Sequence, residues 1–267
     1  MSNMNEPIVP SLDRALTVLE YIAQARDPVS IKSIVTDLQL PHTSVFRIVK
    51  QLAARNYIQE DSQRTSHFRL GLQILTLANG VTYINDLRQV ANSELYSLAI
   101  KSKQVVQLGI IKDYSVTYIE QITPPNPVLL YTDLYSILPI NISAAGKVLT
   151  AFATPSEREY ILSNTEFHKA TVNTIDNRKD FLVELSKVSG NGFAFDNEEY
   201  AIGIGCLAAP IFNHEIRCVA AVGLTGAISN YQGESKEHLV DLLTQSARNI
   251  SHSCGPSAEH FQRSVPE

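Results

Sequence analysis

LPHTSVFRIVKQL, residues 40–52, opens on a proline and two hydroxyl residues and then sets Arg47 and Lys50 among apolar side chains that recur with helical spacing. At about 100° per residue, Val45, Ile48, Val49 and Leu52 share one face, and Thr43, Arg47 and Lys50 lie opposite. One face suits docking on neighbouring helices, and the other stays free. Pro41 fits a first helical position. Upstream, Ser11 is placed to cap a helix carrying Leu12, Ala15, Leu16, Leu19 and Ile22. Ser30 is placed to cap a shorter one marked by Ile31, Ile34, Val35 and Leu38. Downstream, residues 57–60 and 67–70 read as strands joined by the polar loop DSQRTS. Three helices followed by a hairpin make a winged helix-turn-helix.

The 267 residues suffice for two domains. Composition is that of a soluble globular protein, with 44% hydrophobic and 18% charged residues and no Trp. No apolar run approaches the ~20 residues of a membrane span, and MSNMNEPIVP lacks the blocks of a signal peptide, which predicts a cytoplasmic protein with no membrane partner. Cys206, Cys218 and Cys254 have no metal-like spacing, so reduced thiols are expected, with neither metal nor cofactor. Net charge is −5, but it is unevenly spread. Residues 1–80 carry eight Lys/Arg against seven Asp/Glu, whereas residues 81–267 carry fourteen against twenty. Arg47, Lys50, Arg55, Arg64 and Arg69 face only Glu60 and Asp61 within residues 40–70, a local excess suited to a polyanion.

Beyond Gly71 the pattern returns to helix, with Ile74, Leu77, Ala78 and Val81 as a stripe and Gly80 as a possible bend, which places a domain boundary there. The reading is a winged domain at 11–72, a linker helix at 73–85, an α+β domain at 86–252 and a loose tail at 253–267. A long helix is expected over 86–101. Strands are expected at 105–112, 116–122, 206–212 and 218–225, and helices at 144–153, 157–163, 180–189 and 234–250, an α+β domain.

Packed helices alone explain a helix-turn-helix pattern, but the wing and its charges favour major-groove entry. Phosphates accept from Ser, Thr and backbone N–H groups, and Arg reads guanine through a bidentate pair. The candidate DNA contacts are therefore His42, Thr43, Ser44, Arg47, Lys50 and Arg64. SAAGK, residues 143–147, reads either as tight helix packing or as an anion site built from the N–H groups of Ala144, Ala145 and Gly146. A P-loop is excluded, because Asn141 stands where its first glycine is required. Asp196-Asn197-Glu198-Glu199 reads as a solvated turn. Cys206 has apolar neighbours, so an inert thiol is favoured over a nucleophile.

SLDRALTVLEYI, LPHTSVFRIVKQL and YIQEDSQRTSHFRLG together resemble the N-terminal winged domain of the IclR family of bacterial transcriptional regulators. NISAAGKVLTAF, FAFDNEEYAIGIGCLAAPIFN and CVAAVGLTGAISNY resemble the effector domain of the same family, in the same order. The resemblance implies a GAF-like α+β effector domain, operator DNA and a small-molecule effector as partners, and a homodimer or dimer of dimers. It also implies an effector pocket formed by Leu138, Ala144, Ala145, Asp196, Ile204, Cys206, Gly223 and Thr225. Two departures stand out. Residues 134–137 lack the basic residue common in relatives, and Gly223 replaces one of two hydroxyl residues, which predicts a larger pocket. Gln39 stands where a turn glycine is common, at little cost if its backbone is not left-handed. The functional expectation is a ligand-responsive regulator of genes for catabolism of a small organic acid or sugar-derived metabolite. The alternatives are an enzyme using Cys206 or Asp196, and a protein-interaction module whose winged domain never meets DNA.

Overall fold

The computed structural model describes residues 9–79, 82–125 and 134–254, and the chain separates into two compact units, Met1–Thr82 and Tyr83–Glu267. In the first, α1 (Pro10–Gln24), β1 (Val29–Ser30), α2 (Ile31–Leu38), α3 (His42–Ala54), β2 (Ile58–Glu60), β3 (His67–Leu70) and α4 (Gln73–Asn79) follow one another. The helices bury Val18, Ile22, Ile34, Val45 and Val49 against Ile58 and Phe68 of the wing. The wing is three-stranded, in the order β1-β3-β2, because Val29 pairs with Phe68 beside the expected hairpin.

Ser30 caps α2 as expected, its Oγ accepting from the Ser33 N–H at 3.0 Å. Ser11 does not cap α1. Helix α1 begins at Pro10, with Val9 in the cap position and no side-chain cap. The proline ring already holds helical φ, and its missing N–H would have been unpaired there in any case. Gln39 is a second departure, because it ends α2 in the left-handed region at φ 54°. A side chain there costs about 1–2 kcal/mol over glycine. Gly71, by contrast, is required, since a Cβ at that position would lie 2.2 Å from the Asn56 carbonyl oxygen.

The second unit holds α5 (Thr82–Ser102), β4 (Val105–Lys112), β5 (Ser115–Ile122), β6 (Ile137–Pro139), α6 (Ala144–Ala151), α7 (Pro155–Asn164), α8 (Arg178–Asn191), β7 (Ala194–Asn197), β8 (Ile204–Phe212), β9 (Cys218–Ala227) and α9 (Gly233–Ser253). Six antiparallel strands form one sheet, ordered β6-β5-β4-β9-β8-β7. Its two faces are divided by the period of two along each strand. Val222 and Leu224 pack under Leu95 of α5 and Leu243 of α9. Ala221 faces Val148 of α6 and Phe181 of α8 on the other side.

The edge strands β6 and β7 escaped sequence reading because each is short. The expected linker helix at 73–85 corresponds to α4 and the start of α5. Gly80 and Val81 lie outside the described residues, as do residues 255–267 of the expected tail. Its first residue, Ser253, is helical, and Cys254 is buried. Among the described residues no helix is long and apolar enough to cross a membrane.

Candidate functional site

Helix α3 presents His42, Thr43, Arg47 and Lys50 outward, and Ser44 is half-buried at its start. Val45 and Val49, on the opposite side, are buried, so the helical wheel correctly separates docking face from free face. Phe46, absent from the sequence reading, is exposed between them. Its ring stacks on His42 with centroids 6.4 Å apart and carries the Lys50 Nζ at 5.0 Å from its centre. This orders a cation on the free face. Arg64 is exposed at the wing tip, where Asp61 Oδ1 accepts from its backbone N–H and from that of Gln63. Arg69 contributes less than the charge count suggests, because it pairs with Asp61 at 3.1 Å. Neither Arg47 nor Arg64 forms an ion pair among the described residues, although the charge of Arg64 acts on Asp61 beside it.

A row of residues crosses three strands on the α6 face of the large sheet. Asp196 of β7 pairs with Cys206 of β8, which pairs with Thr225 of β9. Thr225 Oγ1 donates to Gln107 Oε1 at 3.1 Å, and Gln107 Nε2 donates to Gln121 Oε1 at 2.9 Å. Above the row stands the start of α6. Ser143 accepts from the Gly146 N–H at 3.3 Å and meets the Tyr118 hydroxyl at 3.2 Å. The expected trio of N–H donors is thereby reduced to Ala144 and Ala145. Together these groups surround a cavity of about 20 Å³, little more than one water.

Of the residues expected in this pocket, Leu138, Ala144, Asp196, Cys206 and Thr225 line the cavity. Ala145, Ile204 and Gly223 do not. Ala145 packs into the core under α6, and Gly223 sits between Ala208 and Gln107 in the sheet. The larger cavity expected from Gly223 is absent here: Gly223 lies off the cavity, and a Cβ on it would meet only the Leu207 and Gln107 carbonyl oxygens, at 3.3 and 3.9 Å. Sequence reading missed Gln107, Tyr118, Ile142, Ser143 and Tyr200 as lining residues. Their one legible signal was polarity inside apolar strand runs, as with Gln107 in VVQLGII.

Asp196 corrects a more important expectation. It is not on a solvated turn, since its side chain is 0% exposed. Oδ1 accepts from the backbone N–H groups of Glu199, at 2.6 Å, and Tyr200, whereas no N–H or O–H group reaches Oδ2 and the Cys206 thiol is the one other donor beside this carboxylate among the described residues. Lys147, the last residue of SAAGK, is also fully buried. Its Nζ donates to Glu199 Oε1 at 2.6 Å, to the Phe195 carbonyl at 2.9 Å and to Glu184 at 3.4 Å. One ammonium therefore serves Glu184 and Glu199 and leaves Asp196 without a direct cation.

Burial pushes the carboxyls of Asp196 and Glu199 above the ordinary range, against the opposing pull of Lys147. Their unfolded counterparts ionise first, near pH 4. Above that pH the unfolded chain has lost protons that the folded chain still holds, so stability falls as pH rises towards the folded values. Asp196→Asn keeps the acceptor for both N–H groups and removes the ionisation. Denaturant midpoints of this variant are expected to vary less with pH across that window, and an unchanged pH slope would show that Asp196 is ordinarily solvated. Burial, reinforced by the charge of Asp196, also drives the Cys206 thiol well above its usual range. A thiol held protonated is a poor nucleophile, in line with the inert reading of Cys206.

A winged helix-turn-helix with a free cationic face and a sheet domain closing over a polar pocket define a ligand-responsive, DNA-binding transcriptional regulator. The family models agree: the IclR helix-turn-helix domain matches residues 11–62, and the C-terminal domain of the bacterial transcriptional regulator IclR matches residues 80–252. The chain belongs to the IclR family. It is 27% identical to the HTH-type transcriptional regulator XynR of Escherichia coli K12 over 249 residues, covering 93% of this chain and 98% of that protein. It is 25% identical to the regulator KdgR of Dickeya chrysanthemi, covering 92% of this chain and 80% of that one. Among solved structures, an IclR homologue from Microbacterium hydrocarbonoxydans complexed with 4-hydroxybenzoate shares the fold. Its TM-score is 0.81 at 21% identity, covering 91% of this chain and 98% of that one.

Proposed function

We propose that residues 11–72 grip operator DNA and that residues 86–252 bind a hydroxylated organic acid or sugar-derived metabolite whose catabolic genes the protein controls in the cytoplasm. The observation that carries the DNA half is the free face of α3, where Arg47 and Lys50 stand exposed opposite a buried Val45–Val49 side. Arg47→Ala is expected to weaken operator binding by about 1–3 kcal/mol if it reads a base, with folding spared. Fluorescence anisotropy at fixed salt, on fragments selected from genomic DNA, measures this. Equal affinities for wild type, Arg47→Ala and Lys50→Ala would discard this contact face, and absence of any salt-dependent duplex binding would favour the protein-interaction alternative.

The ligand half rests on Asp196 Oδ2, a buried acceptor at the cavity that no N–H or O–H group of the described residues reaches. A ligand hydroxyl satisfies it, and the N–H groups of Ala144 and Ala145 suit an anionic head. The relative with 4-hydroxybenzoate bound supports a hydroxy acid in this fold. A cavity of about 20 Å³ holds no such molecule as it stands, so binding displaces Tyr200 or Leu138. That displacement supplies the differential affinity between two states that regulation needs. Calorimetry of wild type and Asp196→Ala against a panel of hydroxy acids tests the assignment, and a ligand bound equally by both removes Asp196 from the site.

Specific binding to an inverted-repeat operator needs two modules, so we assign a dimer or dimer of dimers. Exposed Leu72, Leu75 and Leu77 at α4 support this, although Ile74 is half-buried and Val81 lies outside the described residues. Light scattering that finds a monomer still binding its operator tightly would overturn it.

A further inference from the structure

At the far end of α6 from the Asp196 pocket lies a second cavity, about 220 Å³, between that helix, α7 and the turn joining β8 to β9. Ile111, Leu149, Phe152, Ile161 and Val219 give it one apolar side, and most of the rest of its lining is polar. A cavity of roughly 150 Å³ is enough to hold benzene, so a ring with a short substituent fits here. Its charged groups are Asp113, Glu157 and Arg217. Arg217 already has Glu215 beside it, Nε to Oε2 at 3.9 Å.

The two acids outnumber Arg217, whose contact with Glu215 is too long for a hydrogen bond, and both have oxygens without a partner among the described residues. Glu157 closes the capping box of α7, but only through Oε2, which accepts from the Thr154 N–H at 2.9 Å and hydroxyl at 2.6 Å. Its Oε1 has no hydrogen-bond partner among the described residues, and neither has the exposed Asp113. The Glu157 carboxylate also bears on the cavity wall. After burial, its charge helps to push the Cys218 thiol up to about 12.

We propose that this cavity is a second small-molecule site, and that it takes an organic cation: the apolar body lies on the wall, and the ammonium meets the free Glu157 oxygen and Asp113. The site is distinct from the effector pocket, although both touch α6, the one through Ala144 and the other through Leu149.

The test is calorimetry with 2-phenylethylammonium on the full chain, with neutral 2-phenylethanol as control. Glu157→Gln keeps a residue suited to the capping box, and Asp113→Asn suits the left-handed φ of 58° at that position, so both variants are expected to melt like wild type. Each is expected to weaken ammonium binding by about fivefold, the worth of a partly exposed ion pair. Asp196→Ala leaves that affinity unchanged. The proposal fails if the alcohol binds as tightly as the ammonium, if wild type shows no saturable binding at millimolar ligand, or if Asp196→Ala abolishes binding while Glu157→Gln does not.

Discussion

Lys147→Met is expected to lower the unfolding free energy of the second unit by about 3–5 kcal/mol near neutral pH. The fully buried ammonium is held by Glu199, Glu184 and the Phe195 carbonyl, and Glu199 Oε2 already lacks a partner. Met fills similar volume, so the loss reports the carboxylates left without a counter-charge rather than a cavity. The sign of the pH effect follows. Asp196 and Glu199 are already pushed towards their protonated forms by burial, so acid conditions neutralise the stranded groups and shrink the loss. Denaturant unfolding followed by circular dichroism, at neutral pH and near pH 5, measures both. Adding Glu199→Gln to Lys147→Met is expected to recover part of the loss. A neutral-pH loss under about 1 kcal/mol would mean that the ion pair behaves as a solvated surface bridge.

Gly146→Val is expected to cost about 3 kcal/mol and to disturb the cavity beside Asp196 along with the fold. A Cβ at Gly146 would lie 2.4 Å from the Ile140 carbonyl oxygen and 2.6 Å from its Cα, and neither backbone atom has a side chain's freedom to swing away. The start of α6 must therefore move outward, carrying with it Ser143 and Ala144 of the cavity lining. The same thermal or denaturant unfolding reads the stability loss. Wild-type stability in Gly146→Val would show that the approach of α6 to Ile140 is looser than this geometry.

Local pattern carried the N-terminal unit almost whole. The period of apolar residues in α1, α2 and α3 is a property of neighbouring positions, and it put Val45 and Val49 inside and Arg47 and Lys50 outside without reference to anything distant. Strands β4, β8 and β9 were legible for the same reason, as long apolar runs. The main motifs of the family resemblance lie in those segments, and the chain's membership of the family accords with them.

What the sequence did not determine lies where partners are remote along the chain. DNEE reads locally as a solvated turn, yet pairing of β7 with β8 sets Asp196 opposite Cys206 inside the sheet. Lys147 looked like the polar end of a small-residue helix start, whereas its three partners come from α8, β7 and the turn after it. Gln107 and Tyr118 join the pocket through strand register alone, and Gly223 opens no space in it, because it lies off the cavity under the Leu207 carbonyl oxygen of the neighbouring strand. Periodicity reports which face of an element is buried. The charge state and volume of a site depend instead on what other elements bring to it, because desolvation and Coulomb attraction act through space and not along the chain.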